Sequence, residues 1–487
     1  MDVHVTLAGP GDHTARIYDQ LRRAVLDGRL AAGDRVPPTR ELAARLGIAR
    51  GTVTTAYDRL VAEGFLESRA GSGTFVSAAA AGAERQHRRA RGGQIEPRPL
   101  WRGSPVPPPP PPDDPAGPTG EPGSDRRAGP AAYDLSVGVP DPALFPLAPW
   151  RRLVSAELRP ANLATPTYAG PGHRGLQEQV ARYVGLSRSV AASGEDVLLT
   201  TGAQQALDLV ARVVLSPGDV VAVEDPGYTA AHRLFETHGA RLVGVPVDAE
   251  GLVVDALPGR ARLVYVTPSH QFPTGVAMSL ARRTALLQWA VRHDAVVVED
   301  DYDSEFRFAD RPLEPLQSID RDGRVVYIGS FSKTLLPLLR VGYAIAPASL
   351  QPALREAKRV TDWDSDGVTQ GALARFMAEG LLGAHVRRAS AVYGGRREVL
   401  LAGLREDFAD ALEVVPSAAG LHVCARLRGP HASDTDVVAR AAGHGVLVEA
   451  LSPRFRDQPR QPGLVLGFGA IAVGRIPQAL ALLRGAL

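Results

Sequence analysis

The chain has 487 residues, 45% of them hydrophobic, with 55 Lys+Arg against 53 Asp+Glu, a formal net charge of +2 and one cysteine. That length exceeds one ordinary core and calls for two or three domains, while near-balanced charge gives no bulk signal for nucleic acid. The lone Cys424 excludes a disulfide framework and a thiolate-rich metal site. No window approaches the ~20 apolar residues of a membrane span, and the opening MDVHVTLAGPGDHTARIYDQ lacks signal-peptide order, so a cytoplasmic chain with no membrane partner is expected.

Residues 1–77 read as one small domain. In ARIYDQLRRAVLDG, Ile17, Leu21, Ala24 and Val25 share a helical face, and Gly28 is placed to stop the helix. PPTRELAARLGIARGTVTTAYDRLVAEG follows. Thr39 is expected to cap a short helix carrying Leu42 and Leu46, Gly47 supplies a turn, and a second helix sets Val53, Ala56, Tyr57 and Leu60 on one face. FLESRAGSGTFVS, built around Gly71-Ser72-Gly73, has the signal of a β-hairpin. A helix-turn-helix needs small polar and basic residues at the start of its second helix, where base edges and phosphates are met. Arg50, Gly51, Thr52 and Thr54 stand there. A generic three-helix bundle fits the helices alone; the hairpin favours a reader of DNA.

This block resembles the GntR-type winged helix-turn-helix domain over nearly its whole length, in PPTRELAARLGIARGTV and in the wing SRAGSGTFV. The resemblance implies that Arg40, Arg50, Thr52, Thr54 and the wing glycine Gly71 approach double-stranded promoter DNA. Ala49 departs from the serine or threonine frequent at that position, which puts one phosphate contact in doubt.

Residues 78–131 form no core in this reading. Six successive prolines, 107 to 112, favour an extended polyproline spacer. Arg85, Arg88, Arg89, Arg91, Arg98 and Arg102 outnumber Glu84 and Glu96, either as a solvated linker or as an arm along phosphates.

From 132 to 487 the pattern is α/β. The runs DVLLTT, DVVAVED, ARLVYVTP, AVVVED and RVVYIGS alternate with helical stretches, as do strands buried on both faces of a mostly parallel sheet. Ligands of open α/β sheets bind beyond the carboxyl ends of such strands. Lys333, three residues past RVVYIGS, is one of only two lysines, with Lys358, in an arginine-rich chain. An amine there can form a Schiff base, which guanidinium cannot do. Asp300, at the end of AVVVE, can hold a pyridine nitrogen protonated. Gly202 opens a helix whose free amides suit a phosphate, and Ser330, Ser332 and Arg340 add hydroxyls and a permanent charge. Tyr228, in VEDPGY, offers a flat face to an aromatic ring. Amine, carboxylate, phosphate cradle and aromatic lid together describe a pyridoxal 5'-phosphate (PLP) site, although each residue alone has an ordinary structural explanation.

SFSKTLLPLLRVGY, EDDYDSEFR, TPSHQFPTG, TTGAQQAL and EDPGY resemble the MocR/GabR branch of fold type I, class I aminotransferase-like proteins, in which a GntR-type reader and a linker precede the PLP domain. The resemblance implies that Lys333 carries PLP as a Schiff base, Asp300 pairs with the ring nitrogen, Tyr302 bonds the ring hydroxyl oxygen and Tyr228 stacks on the ring. Gly202, Ala203, Gln204, Ser330, Ser332 and Arg340 would surround the phosphate. Tyr168 would reach the phosphate of a neighbouring subunit, which implies a homodimer. Phe272 stands where transaminases carry an asparagine, and LVLGFGAI lacks their carboxylate-holding arginine, leaving Arg454, Arg456 and Arg460 nearby. The expected function is a transcriptional regulator sensing PLP or an amino compound. The alternatives are a working aminotransferase with an appended reader and a DNA-binding scaffold that has lost its cofactor.

Overall fold

The computed structural model describes residues 5–7, 12–69, 72–77, 133–162, 172–308, 314–363, 365–429 and 433–487. Contacts divide the chain into two compact units, Met1–Ser104 and Pro105–Leu487.

In the first unit, helices α1 (His13–Leu26), α2 (Thr39–Leu46) and α3 (Arg50–Ala62) precede strands β1 (Leu66–Arg69) and β2 (Gly73–Val76). The two strands pair antiparallel, from Leu66 with Val76 to Arg69 with Gly73. Ile17, Leu21, Leu42, Val53, Ala56 and Leu60 have no exposed surface, so the faces expected from spacing are the faces that pack. Burial of each larger aliphatic side chain contributes about 1.5–3 kcal/mol. Gly47 ends α2 at φ 67°, a left-handed conformation costly for residues with a Cβ, and turns the chain into α3. Thr39 does not cap α2. Pro38 occupies the cap position, where its ring-fixed φ suits helix entry, and the Thr39 hydroxyl instead accepts from Arg50 Nε at 3.3 Å.

The first described element of the second unit is β3 (Tyr133–Asp134), and the unit is built on an eight-stranded sheet. Its members are β4 (Val197–Thr200), β5 (Val220–Asp225), β6 (Arg241–Asp248), β7 (Gly251–Leu252), β8 (Ala261–Val266), β9 (Val296–Asp301), β10 (Val325–Ser330) and β11 (Gly342–Ile345). The order is β4-β11-β10-β9-β8-β5-β6-β7. Neighbours from β10 through β6 run parallel, whereas β11 is antiparallel to both β10 and β4. The five strands read from apolar runs are present, and β4, β5, β9 and β10 are buried at every residue. Strands β6 and β11 carry weaker signals: the first is partly exposed along its length and the second is a four-residue segment opening on glycine. A second sheet, β12 (Leu412–Val414), β13 (His422–Leu427), β16 (Gly463–Gly467) and β15 (Glu449–Ala450), is antiparallel, and β14 (Val446–Leu447) pairs with β3. Cys424 lies in its core, where burial pushes the thiol up to about 12. No helix among the described residues is long and apolar enough to cross a membrane.

Candidate functional site

A cavity of about 320 Å³ opens at the carboxyl ends of the parallel strands. Lys333, Asp300, Tyr302 and Tyr228 line it, as do Ala203, Gln204, Ser330, Ser332 and Arg340. Gly202 stands directly against Arg340: a Cβ built on it would meet Arg340 Nη2 at 2.8 Å. One chain therefore brings together ten of the eleven residues expected around the cofactor. Tyr168 lies outside the described residues.

The elements explain the placement. Asp300 is the penultimate residue of β9 and points from its end, while Lys333 follows β10 through a short turn. Tyr228 stands three residues past the end of β5, at the entry of the helix Thr229–Thr237. Gly202, at φ 88°, caps the helix Ala203–Val214 without a side-chain hydrogen bond, leaving the helix entrance to backbone amides. Arg340 Nη2 donates to the Thr201 carbonyl at 2.6 Å and is thereby aimed at that entrance.

Charge is arranged unevenly in the cavity. The Tyr265 hydroxyl donates to Asp300 Oδ2 at 2.8 Å, and Asp300 Oδ1 is buried without a hydrogen-bond partner. Burial pushes the Asp300 carboxyl up to about 6, beyond the opposing pull of the Tyr265 hydroxyl; Asp301 and Asp303 push the same way and Lys333 resists. Lys333 Nζ donates to the Gly138 carbonyl at 2.7 Å.

Several wall residues escaped sequence reasoning. Gly138 comes from the segment after β3, Tyr265 from β8, and His422 from β13. His270 Nδ1 lies 3.0 and 3.1 Å from the two Asp303 oxygens and 2.9 Å from the Tyr302 hydroxyl. The carboxylate favours the tautomer with hydrogen on Nδ1, which leaves the phenol's own hydrogen to be donated elsewhere. His270, Asp303 and His422 bring ligating atoms within 4.8 Å of one another, but His422 Nε2 is engaged with the Pro273 carbonyl and Asp303 with His270 and the Leu421 amide. The arrangement is a hydrogen-bonded polar network beside Tyr302, in which His270 Nε2 is buried without a partner. The signal for it lay in TPSHQFPTG and EDDYDSEFR, where no spacing rule singles out His270 or Asp303.

Phe272 fills the position of the expected asparagine. Its ring meets Tyr228 edge-on with centroids 5.6 Å apart and Tyr302 at 6.1 Å, so it packs the wall instead of donating a hydrogen bond. Behind it, the Arg454 guanidinium sits 5.4 Å from the Phe272 centroid, bonded to Glu449 Oε2 at 2.5 Å and Thr229 Oγ1 at 3.0 Å. Arg456 is bound to Glu236, and Arg460 is exposed.

In the first unit, Arg40 and Arg50 are exposed, and Thr52 and Thr54 are half-buried at the start of α3. The Thr54 hydroxyl donates to the Arg50 carbonyl at 3.0 Å. Ala49 precedes α3 without a side-chain cap, so the helix entrance offers amides but no hydroxyl. Gly71 lies outside the described residues.

Comparison with known proteins agrees with both halves. The family described as "Aminotransferase class I and II" matches residues 135–456, and "Bacterial regulatory proteins, gntR family" matches residues 13–76. The chain is 37% identical to the probable rhizopine catabolism regulatory protein MocR of Rhizobium meliloti, over 97% of this chain and 93% of that one. The chain belongs to the MocR/GabR-type transcriptional regulators. A second MocR/GabR-type relative, the pyridoxine biosynthesis regulator PdxR of Corynebacterium glutamicum, is 32% identical over 95% of this chain and 93% of its own. Among solved structures, the α-aminoadipate aminotransferase LysN of Thermus thermophilus, complexed with N-(5'-phosphopyridoxyl)-L-leucine, superposes with a TM-score of 0.67 at 30% identity, covering 73% of this chain and 92% of that one. The aminotransferase-like fold of the second unit is thus shared with MocR/GabR-type regulators and with enzymes alike.

Proposed function

We propose that this regulator binds promoter DNA through α3 and its wing, and that PLP, alone or joined to an amino compound, occupies the cavity and changes DNA binding. The observation that carries the reading is the orphaned Asp300 Oδ1 in the same cavity as Lys333. A buried acceptor without a partner costs free energy, and a pyridinium N–H would satisfy it. The phosphate end fits equally: a helix entrance without a side-chain cap, two serine hydroxyls and a permanently charged guanidinium converge there.

When bound, PLP supplies an aldehyde that condenses with amines and a ring that withdraws electrons. The chain's own residues do the rest. Lys333 offers the amine, and Asp300 holds a proton on the ring nitrogen. Tyr302, fixed by the His270–Asp303 pair, donates its hydrogen toward the ring hydroxyl oxygen. Tyr228 and Phe272 cover the ring and exclude water. Arg340, Ser330, Ser332 and the amides of Ala203 and Gln204 hold the phosphate.

Turnover as an aminotransferase is the second reading, and Phe272 speaks against it, since an apolar ring replaces a hydrogen-bond donor. Arg454 does not line the cavity; it stands behind Phe272 and is already paired with Glu449. We therefore assign the site to sensing, in a cytoplasmic homodimer. A steady-state assay with an amino donor and a 2-oxo acid tests this directly: sensing predicts a single stoichiometric half-reaction at most, and sustained multiple turnover would overturn it.

A further inference from the structure

The chain's other lysine lies outside the cavity lining but is linked to it. Lys358, on the helix Gln351–Asp362, has a side chain only 2% exposed, and its Nζ donates to Asp362 Oδ2 at 2.6 Å. The same oxygen accepts from Gln205 Nε2 at 2.6 Å. Gln205 Oε1 in turn accepts from the Thr201 backbone N–H at 2.8 Å, and the Thr201 carbonyl accepts from Arg340 Nη2 at 2.6 Å. A continuous chain of hydrogen bonds thus runs from a buried ammonium to the arginine at the cavity's phosphate end. Gln205 thus holds the peptide group entering Thr201, and Arg340 holds the carbonyl of the next one, which enters Gly202.

We propose that Lys358 is a positioning residue for the phosphate-binding turn, acting through Asp362 and Gln205. The inference rests on the PLP reading above. Its physical basis is charge balance. Asp362 ends its helix, where the helix dipole opposes a carboxylate, and its Oδ1 is buried without a partner. Only Lys358 among the groups bonded to Asp362 Oδ2 carries positive charge. Without that ammonium the carboxylate loses its cationic partner and turns toward solvent, and Gln205 loses the acceptor that orients its amide. The Thr201–Gly202 turn and the aim of Arg340 then relax together. Removal of Lys358 should therefore harm recognition of a phosphate and spare recognition of the ring.

The test compares PLP with pyridoxal, which has the same ring and aldehyde and no phosphate, on the full-length chain. Lys358→Met keeps the apolar stem and removes the charge. Its PLP affinity should fall about tenfold, the scale of one charge-assisted hydrogen bond, with pyridoxal affinity unchanged. Adding Asp362→Asn, which removes the stranded charge and keeps an acceptor for Gln205, should recover most of the loss. Gln205→Leu cuts the chain at its middle and should give the same phosphate-selective loss if the lysine variant does not fold. Equal losses for PLP and pyridoxal, or no loss in either single variant, would overturn the proposal. A wild-type chain that binds PLP beside a Lys358→Met chain indistinguishable from it sinks this inference alone; a wild type that binds no PLP sinks the cofactor reading with it.

Discussion

Lys333 Nζ donates to the carbonyl of Gly138, at 2.7 Å, across 195 residues of sequence. Gly138 is left-handed, at φ 73°, and a Cβ built on it would collide with that nitrogen. Segment 136–139 follows β3, the first described element after the stretch expected to be a linker, so this hydrogen bond joins the amine to the first described stretch of the second unit. Gly138→Ala would force a methyl group against Lys333 and place alanine in a conformation costing about 1–2 kcal/mol. Thermal unfolding should register the strain, and PLP affinity should fall with it. In the wild type, borohydride reduction followed by mass spectrometry should find the cofactor's mass on the peptide bearing Lys333; Lys333→Ala should show none.

Asp300 sets the pH dependence. Its carboxyl titrates near 6 in the folded chain, above the ~3.9 of an unfolded aspartate, so the fold binds the proton more tightly. Its contribution to stability is therefore complete below about pH 4 and lost as pH rises through about 6. A ligand bringing a cationic N–H to Oδ1 reverses the preference, because it needs the carboxylate ionised. PLP affinity should rise between pH 5 and 7 by about tenfold, and Asp300→Asn should remove that part of the rise. The phosphate's own second ionisation near 6 lies in the same window and is common to both chains, so the difference between their profiles is the measurement.

In the reader, Arg50 and the uncapped entrance of α3 form the surface expected to meet DNA. Arg50→Ala should weaken binding to a cognate fragment about tenfold and lower the slope of log affinity against log salt by about one. Installing the missing hydroxyl, Ala49→Ser, should act oppositely: it caps α3 and restores a phosphate donor, gaining about 0.5–2 kcal/mol of helix stability. Anisotropy at two salt concentrations separates the two effects.

Much of this site was legible because its chemistry sits at strand ends. Runs such as VVVED announce a strand buried on both faces, and the polar residues that close or closely follow the run are placed near the rim by topology; Asp300 and Lys333 were visible for that reason. Tyr265, His270, Asp303 and His422 were not, since their role depends on contacts among β8, β9, β13 and the turn at Phe272, which no local pattern encodes. Gly138 looked like one glycine among 50. The Arg454–Glu449 pair shows the same limit: the sequence offered three arginines, and only packing decided that one of them stands behind Phe272 already neutralised.

The account's central claim is that occupancy of the cavity changes DNA binding. Footprinting of the full-length protein on its own upstream region, titrated with and without PLP, tests it most directly, with Lys333→Ala in parallel. The prediction is protection of a defined site whose half-saturation shifts with PLP in the wild type and stays fixed in Lys333→Ala. Protection indifferent to PLP in a chain shown to bind it, or no protection under any condition, would contradict the account.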